Sequence, residues 1–322
     1  MLSVEKFIPA AVLGAFLLVM PFLLDTYWLR IATGVLMWSG LACAWNIVGG
    51  YAGYISFGHS AFFGVGAYAT AILMGREFGV PFLATIPVGL VAAMALCFVI
   101  GAPTMRLRGA YFAIATWAFA EMLFQLASIL EITGGTGGLS LPARIDATFF
   151  YYAMLVAAVV AYGVVWALLE RSRFGLRLKA LRDHEPAAEA FGINTVAVKV
   201  QALSLSGGIC AVFGSIYAYW VTFIDPPSVL GAAITDQMVV MALLGGLGSL
   251  WGPALGATLL WLLNRFFWAE LGDTTLYIPV LGVVIALIVL FLPNGLVSLI
   301  PRRLVQDGGA ARSMLKTIWR KL

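Results

Sequence analysis

Stretches of about 20 apolar residues recur along the whole chain, and that is the length an α-helix needs to cross the ~30 Å hydrocarbon core of a bilayer. They fall at 7–24, 29–48, 55–74, 80–100, 111–130, 148–168, 200–221 and 276–296. A further apolar interval, 229–268, is too long for one span. It is broken at Gly245-Gly246-Leu247-Gly248 and again at Gly252-Pro253. Read as two spans joined by a tight turn, it brings the expected number to ten. In lipid only helices and closed barrels satisfy every backbone N–H and C=O, so windows of this length predict an all-α polytopic membrane protein. Only 11% of the 322 residues are charged, against about 25% in a soluble domain. Most of the surface must therefore contact membrane lipid.

Lysine and arginine set the expected topology, because cytoplasmic loops carry an excess of them. With the polar interval 170–194 placed inside, both termini fall inside as well. Fifteen of the nineteen basic residues then lie on the cytoplasmic side. These are Lys6, Arg106, Arg108, six from Arg171 to Lys199, and six after Pro301. Only Arg30, Arg76, Arg144 and Arg265 lie outside. A nine-span chain would carry the basic tail 301–322 to the opposite side, so the charge pattern favours splitting 229–268. Topology explains the net charge of +4 without any nucleic-acid partner. After Lys6 the first apolar run continues to Leu24 with no small-residue cleavage site, which predicts a retained first span. Cys43, Cys97 and Cys210 each sit in an apolar run without metal-ligand spacing and read as small buried hydrophobes.

The interval 170–194, ERSRFGLRLKALRDHEPAAEAFGIN, is the only long polar stretch, and 170–199 is the expected cytoplasmic loop. Its second half predicts a short helix. Asp183 caps the start, Pro186 is tolerated in the first turn, Ala187, Ala188, Glu189 and Ala190 propagate, and Gly192 takes the left-handed stop. A loop has no need of a capped helix, which points to a docking element. Ala187, Ala188, Ala190 and Phe191 would supply an apolar ridge, with Glu185 and Glu189 at its edge. The alternative is a solvated loop held to anionic lipid by its arginines.

Glycines crowd the spans and would let helix backbones approach closely. Two segments go beyond packing. Residues 49–68, GGYAGYISFGHSAFFGVGAY, place Ser56 and His59 amid enough glycine to bend the backbone. Residues 133–139, TGGTGGL, put Gly134 and Gly135 just after the fifth span, as an outer gate or a flexible loop. Glu121 is the one carboxylate near the middle of a span, either a pathway residue or a structural group bonded to Thr116 or Gln125.

No phosphate-binding G-x-x-x-x-G-K-[ST] loop occurs, no nucleophile sits beside a base, and no cluster has metal-ligand spacing. The chain predicts no enzyme and no cofactor. If transport consumes ATP, the nucleotide machinery is on another polypeptide. One span carboxylate is few for an ion-coupled secondary carrier working alone, which would show several.

These residues resemble a known family. GYISFGHSAFFGVGAYATAIL (53–73) is similar to the G-x-x-S-x-G-H-x-x-F-F-G-x-G-A-Y signature of branched-chain amino acid ABC importer permeases of the LivM type. LRGAYFAIATWAFAEM (107–122) resembles a second segment of that family, with Trp117 where leucine is usual. TGGTGGL, the 178–194 loop and GGLGSLWGPALGA (245–257) resemble three more, in order along nearly the whole chain. Related permeases for urea or short amides share much of the pattern. The resemblance implies a permease bundle in a bacterial or archaeal inner membrane, a single domain over 1–322. It implies as partners a sister permease, two cytoplasmic ATPases that engage 170–199, and an extracytoplasmic binding protein.

Overall fold

The computed structural model describes residues 4–75, 78–107, 109–271, 277–292 and 295–299. Arg76, Arg108 and the basic tail 301–322 lie outside them. Thirteen helices are present among the described residues: α1 (Val4–Leu23), α2 (Thr26–Asn46), α3 (His59–Met74), α4 (Phe82–Thr104), α5 (Ala110–Ile129), α6 (Ala147–Val165), α7 (Arg173–Asp183), α8 (Glu185–Ala190), α9 (Thr195–Val221), α10 (Pro226–Leu230), α11 (Ala232–Gly245), α12 (Gly252–Leu271) and α13 (Tyr277–Phe291). Single π-turns extend α2 over Ile47–Tyr51 and α6 over Trp166–Glu170. Among the described residues, six segments are long and apolar enough to cross a membrane: Thr26–Tyr51, Phe82–Gly101, Ala110–Ile129, Ala147–Glu170, Thr195–Val221 and Pro226–Gly245. Gly14–Leu23 and His59–Met74 are shorter apolar helices.

The long interval at 229–268 divides as its glycines predict, with α11 ending at Gly245 and α12 beginning at Gly252. The third window does not. Its first residues, 55–58, are irregular, and helix begins only at His59. The reason is local. Gly53 adopts φ +77° just after the π-turn, a conformation that ends helical propagation. Hydropathy alone cannot see such a break, because Ile55 and Phe57 keep the window apolar.

At the centre, α3 packs against α9 and α4, while α2 packs against α6, α12, α11 and α9. The α3–α9 contact is a backbone approach. A Cβ on Gly214 would stand 2.0 Å from the Phe63 carbonyl oxygen, so the small residue sets the helix separation. Ser215 Oγ donates to Gly66 O at 3.0 Å across the same seam. The two helices run parallel, since His59 meets Ser206 and Gly66 meets Ser215. α3 has 16 residues and α9 has 27, so α3 begins about halfway along its neighbour.

The connections gather at two ends. At one end, Leu139–Ser140 (β1) pairs antiparallel with Phe223–Ile224 (β2), Leu139 opposite Ile224. Beside this ribbon a cleft of about 490 Å³ is lined by Met74, Phe82, Arg144, Phe149 and Tyr219. At the other end, the polar segment carrying α7 and α8 meets the end of α2, the end of α4 and the α11–α12 turn. Cys43, Cys97 and Cys210 are all free and buried, as their apolar setting predicts.

Candidate functional site

The start of α3 lies inside the bundle, and polar side chains from four other helices converge on it. Ser56, His59 and Ser60 are fully buried. Backbone donors there have lost the partners a continuous helix would supply, and each must find another. The Phe57 N–H donates to Thr116 Oγ1 of α5 at 3.1 Å, and the Ser60 N–H to Thr235 Oγ1 of α11 at 2.8 Å. The Gly58 N–H reaches Ser56 Oγ at 3.3 Å, and Trp45 Nε1 of α2 donates to the Ser56 carbonyl at 2.8 Å.

His59 Nε2 lies 2.8 Å from Ser206 Oγ of α9, and that hydroxyl lies 2.6 Å from the Ala44 carbonyl. A hydroxyl has one proton, and a carbonyl only accepts, so Ser206 donates to Ala44. His59 must then donate from Nε2, which assigns the tautomer from the network. Nδ1 is left as an acceptor. It is buried and has no hydrogen-bond partner among the described residues, and Ser60 Oγ is in the same position. Unpaired buried polar groups are rare in native proteins, and two stand together here at the break.

The other expected pathway residues are spread along α5. Glu121 accepts from Gln125 Nε2 at 2.7 Å on the same helix, while Thr116, its other expected partner, serves Phe57. Gly134 and Gly135 follow the C-terminus of α5 with φ +75° and +55°. There a Cβ on Gly134 would stand 2.2 Å from Gly138 O, and Thr133 Oγ1 donates to Ala127 O at 2.6 Å. The turn is a tightly hydrogen-bonded helix stop. Thirteen residues of α5 separate Thr116 from Ile129, so this turn stands roughly 20 Å along the bundle from the α3 break.

The polar segment is more ordered than a loop with one helix. α7 occupies Arg173–Asp183, and Ser172 Oγ caps it by accepting from Phe174 N–H at 3.0 Å. α8 is capped by His184, whose Nδ1 accepts from Ala187 N–H at 3.2 Å. Asp183 is the last residue of α7 and does not cap α8. Gly192 makes the predicted stop, at φ +80°. The last residues of the 170–199 segment belong to α9, whose start Asn194 caps through Ala197 N–H at 3.0 Å.

The expected ridge does not lie on one face. Ala188 is 3% exposed and points into the protein, whereas Ala190, two residues on and so on the opposite side of the helix, is exposed, and Phe191 follows the last residue of α8. Phe191 is 88% exposed, a large apolar ring at the tip of the segment. Glu185 and Glu189 are engaged within the chain. Glu189 Oε1 accepts from Thr195 Oγ1 at 2.9 Å. Glu185 Oε1 lies 2.5 Å from Lys199 Nζ, and its other oxygen accepts the Tyr54 hydroxyl. Lys199 is 2% exposed and also donates to Met105 O at 3.2 Å. Removing one partner of a buried pair of this kind costs roughly 3–5 kcal/mol.

Further ties run from the segment to the end of α2. Arg182 Nη1 donates to Gly50 O at 2.7 Å, and Glu170 accepts from the Tyr51 hydroxyl at 2.7 Å and from Lys179 Nζ at 2.8 Å. Tyr51, Tyr54, Arg182, Lys199, Ser206 and Thr235 were not expected at a site from the sequence, and Thr116 was expected only as a partner of Glu121. Lone polar residues in apolar runs, such as Thr116, Ser206 and Thr235, were the available signal.

A family model described as branched-chain amino acid transport system / permease component matches residues 27–292. The high-affinity branched-chain amino acid transport system permease protein LivM of Escherichia coli is 28% identical, over 91% of this chain and 75% of that protein. The probable branched-chain amino acid transport permease protein LivM of Methanocaldococcus jannaschii is 26% identical, over 69% of this chain and 77% of that protein. The autoinducer 2 import system permease protein LsrC of Salmonella paratyphi B is 30% identical over 39% of this chain and 36% of that protein. No solved structure matches the chain.

Proposed function

The chain belongs to the branched-chain amino acid transport permease family, and from that premise we propose that it imports branched-chain amino acids as the permease subunit of an ATP-driven system. The observation that carries this reading is the relationship to LivM over nine-tenths of the chain. It works with a sister permease, two cytoplasmic ATPases and an extracytoplasmic binding protein, in the inner membrane of a bacterium or archaeon.

Ten helices span the membrane: α1 to α6, α9, α11, α12 and α13. Both termini and the segment with α7 and α8 face the cytoplasm. The two-ended clustering of connections supports this alternation, because segments expected on one side touch each other. The β1–β2 end faces the binding protein.

The break at the start of α3 is the narrow point of the route. Ser56, His59 and Ser60 line it, Glu121 lies farther along, and the Gly134–Gly135 turn holds the outer end. An imidazole acceptor and a hydroxyl without partners are groups that a passing ammonium or other polar solute can bond briefly. Few formal charges mean that the solute is not retained.

α8 is the coupling helix. Phe191 and Ala190 on its outer face, with Asp183 and Gly192 at its ends, meet a groove on the ATPase, while Ala187 and Ala188 seat the helix on the bundle. The test is copurification of the ATPase with the chain and its sister permease. Phe191→Asp is expected to lose the ATPase while the permease pair stays intact and inserted. ATPase retained at the wild-type ratio would remove α8 from the docking surface.

A further inference from the structure

We propose that Glu185, Lys199 and Tyr54 form a largely buried strut that carries movement of α8 to both ends of the irregular stretch before α3. The inference rests on α8 as the ATPase-docking helix and adds how a push there reaches the route.

The first arm is direct. Glu185 is the first residue of α8, and one of its oxygens accepts the Tyr54 hydroxyl. Tyr54 belongs to the irregular backbone itself, two residues before Ser56. Its ring packs edge-on against Phe112 of α5, with centroids 5.5 Å apart. The second arm runs through α9. Glu185 Oε1 pairs with Lys199 Nζ at 2.5 Å, and Ser206, seven residues on, bonds His59 Nε2. Residues i and i+7 share one helix face, so Lys199 and Ser206 stand about 10 Å apart on the same side of α9. A displacement of Glu185 is thus delivered at Tyr54 and, through α9, at His59.

The chemistry suits a strut better than a fastening. Two apolar side chains would hold α8 to α9 as well or better, because desolvating a lysine and a carboxylate offsets much of their attraction. Apolar contacts slide, however, whereas an ion pair with a hydrogen bond on each partner fixes one geometry. Lys199 is locked further by the Met105 carbonyl and by the Tyr54 ring 4.3 Å away. Glu185 and Lys199 come from consecutive helices and Tyr54 from a segment 131 positions before Glu185, and the three side chains hold each other in one arrangement.

The strut is tested with Tyr54→Phe and Lys199→Met in the assembled transporter, reconstituted with its ATPases and binding protein. Tyr54→Phe keeps the ring on Phe112 and removes only the hydroxyl, so it guards against a folding defect in Lys199→Met. The readout is solute transported per ATP hydrolysed, which a merely structural role does not move. We expect the complex to assemble and hydrolyse ATP, with that ratio lowered about tenfold in Tyr54→Phe. A wild-type ratio in both variants overturns the proposal, and so does a Tyr54→Phe chain that fails to assemble, since the hydroxyl would then serve stability alone. Failure of the docking reading is seen separately, as Phe191→Asp that retains the ATPase.

Discussion

Gly66 of α3 lies so close to α9 that a Cβ added to it would stand 2.0 Å from the Ala211 carbonyl oxygen. The obstacle is backbone, which no rotamer change can move, so the helices would have to separate. Gly66→Ala is therefore expected to destabilise the bundle by about 1–3 kcal/mol. Gly163→Ala in α6, where a Cβ meets nothing within 4 Å, is expected to be neutral or to stabilise by roughly 0.5–1 kcal/mol. Thermal unfolding of both variants in detergent checks the pair, and equal stability would contradict the close approach.

The contrast between these glycines marks how far the sequence is legible. Apolar windows locate most of the long helices, because burial or lipid contact over 20 residues is what hydropathy measures. The α11–α12 turn and the Gly192 stop are readable too, since glycine clusters and a C-terminal glycine have local causes. What escapes is whatever depends on a distant partner. The Glu185 oxygens look available to another protein until Tyr54, 131 positions earlier, is folded onto them. Ala188 cannot be assigned inward or outward until α8 has a surface to lie on. His59 stands out by its rarity, but its donor role follows only from the Ser206 hydrogen bond to Ala44. β1 and β2 have two residues each, and their partners Leu139 and Ile224, like Ser140 and Phe223, lie far apart in the chain, far too little pattern to register.

At the break before α3, His59→Ala removes both the donor to Ser206 and the unpaired acceptor. Uptake at matched membrane levels is expected to fall about tenfold, with a smaller loss in Ser56→Ala. Wild-type uptake in both would leave this cluster a packing role alone.

Sidedness is checked by cysteine accessibility in a chain lacking Cys43, Cys97 and Cys210. Ile145 is 97% exposed at the β1–β2 end, and Phe191 is 88% exposed at the other. Ile145→Cys is expected to react with an impermeant reagent in spheroplasts, and Phe191→Cys only after the membrane is opened. Labelling of Phe191→Cys from outside would invert the topology.

Glu121 separates an ATP-driven permease from an ion-coupled carrier. A carrier that binds a proton in the membrane needs a titratable side chain there. Glu121→Gln keeps a hydrogen-bonding group beside Gln125 and abolishes titration. Uptake is expected to stay within about twofold of the unmodified chain. Complete loss at normal membrane levels would point to ion coupling.

The central claim, that this chain is one permease subunit of an ATP-driven importer, is tested most directly in proteoliposomes containing it, its sister permease and the two ATPases. Entry of labelled leucine is measured with the binding protein on the receiving face and ATP on the ATPase face. The account predicts uptake that requires ATP, binding protein and both permeases together. Leucine uptake by this chain alone, driven by a proton or sodium gradient without any ATPase, would contradict it.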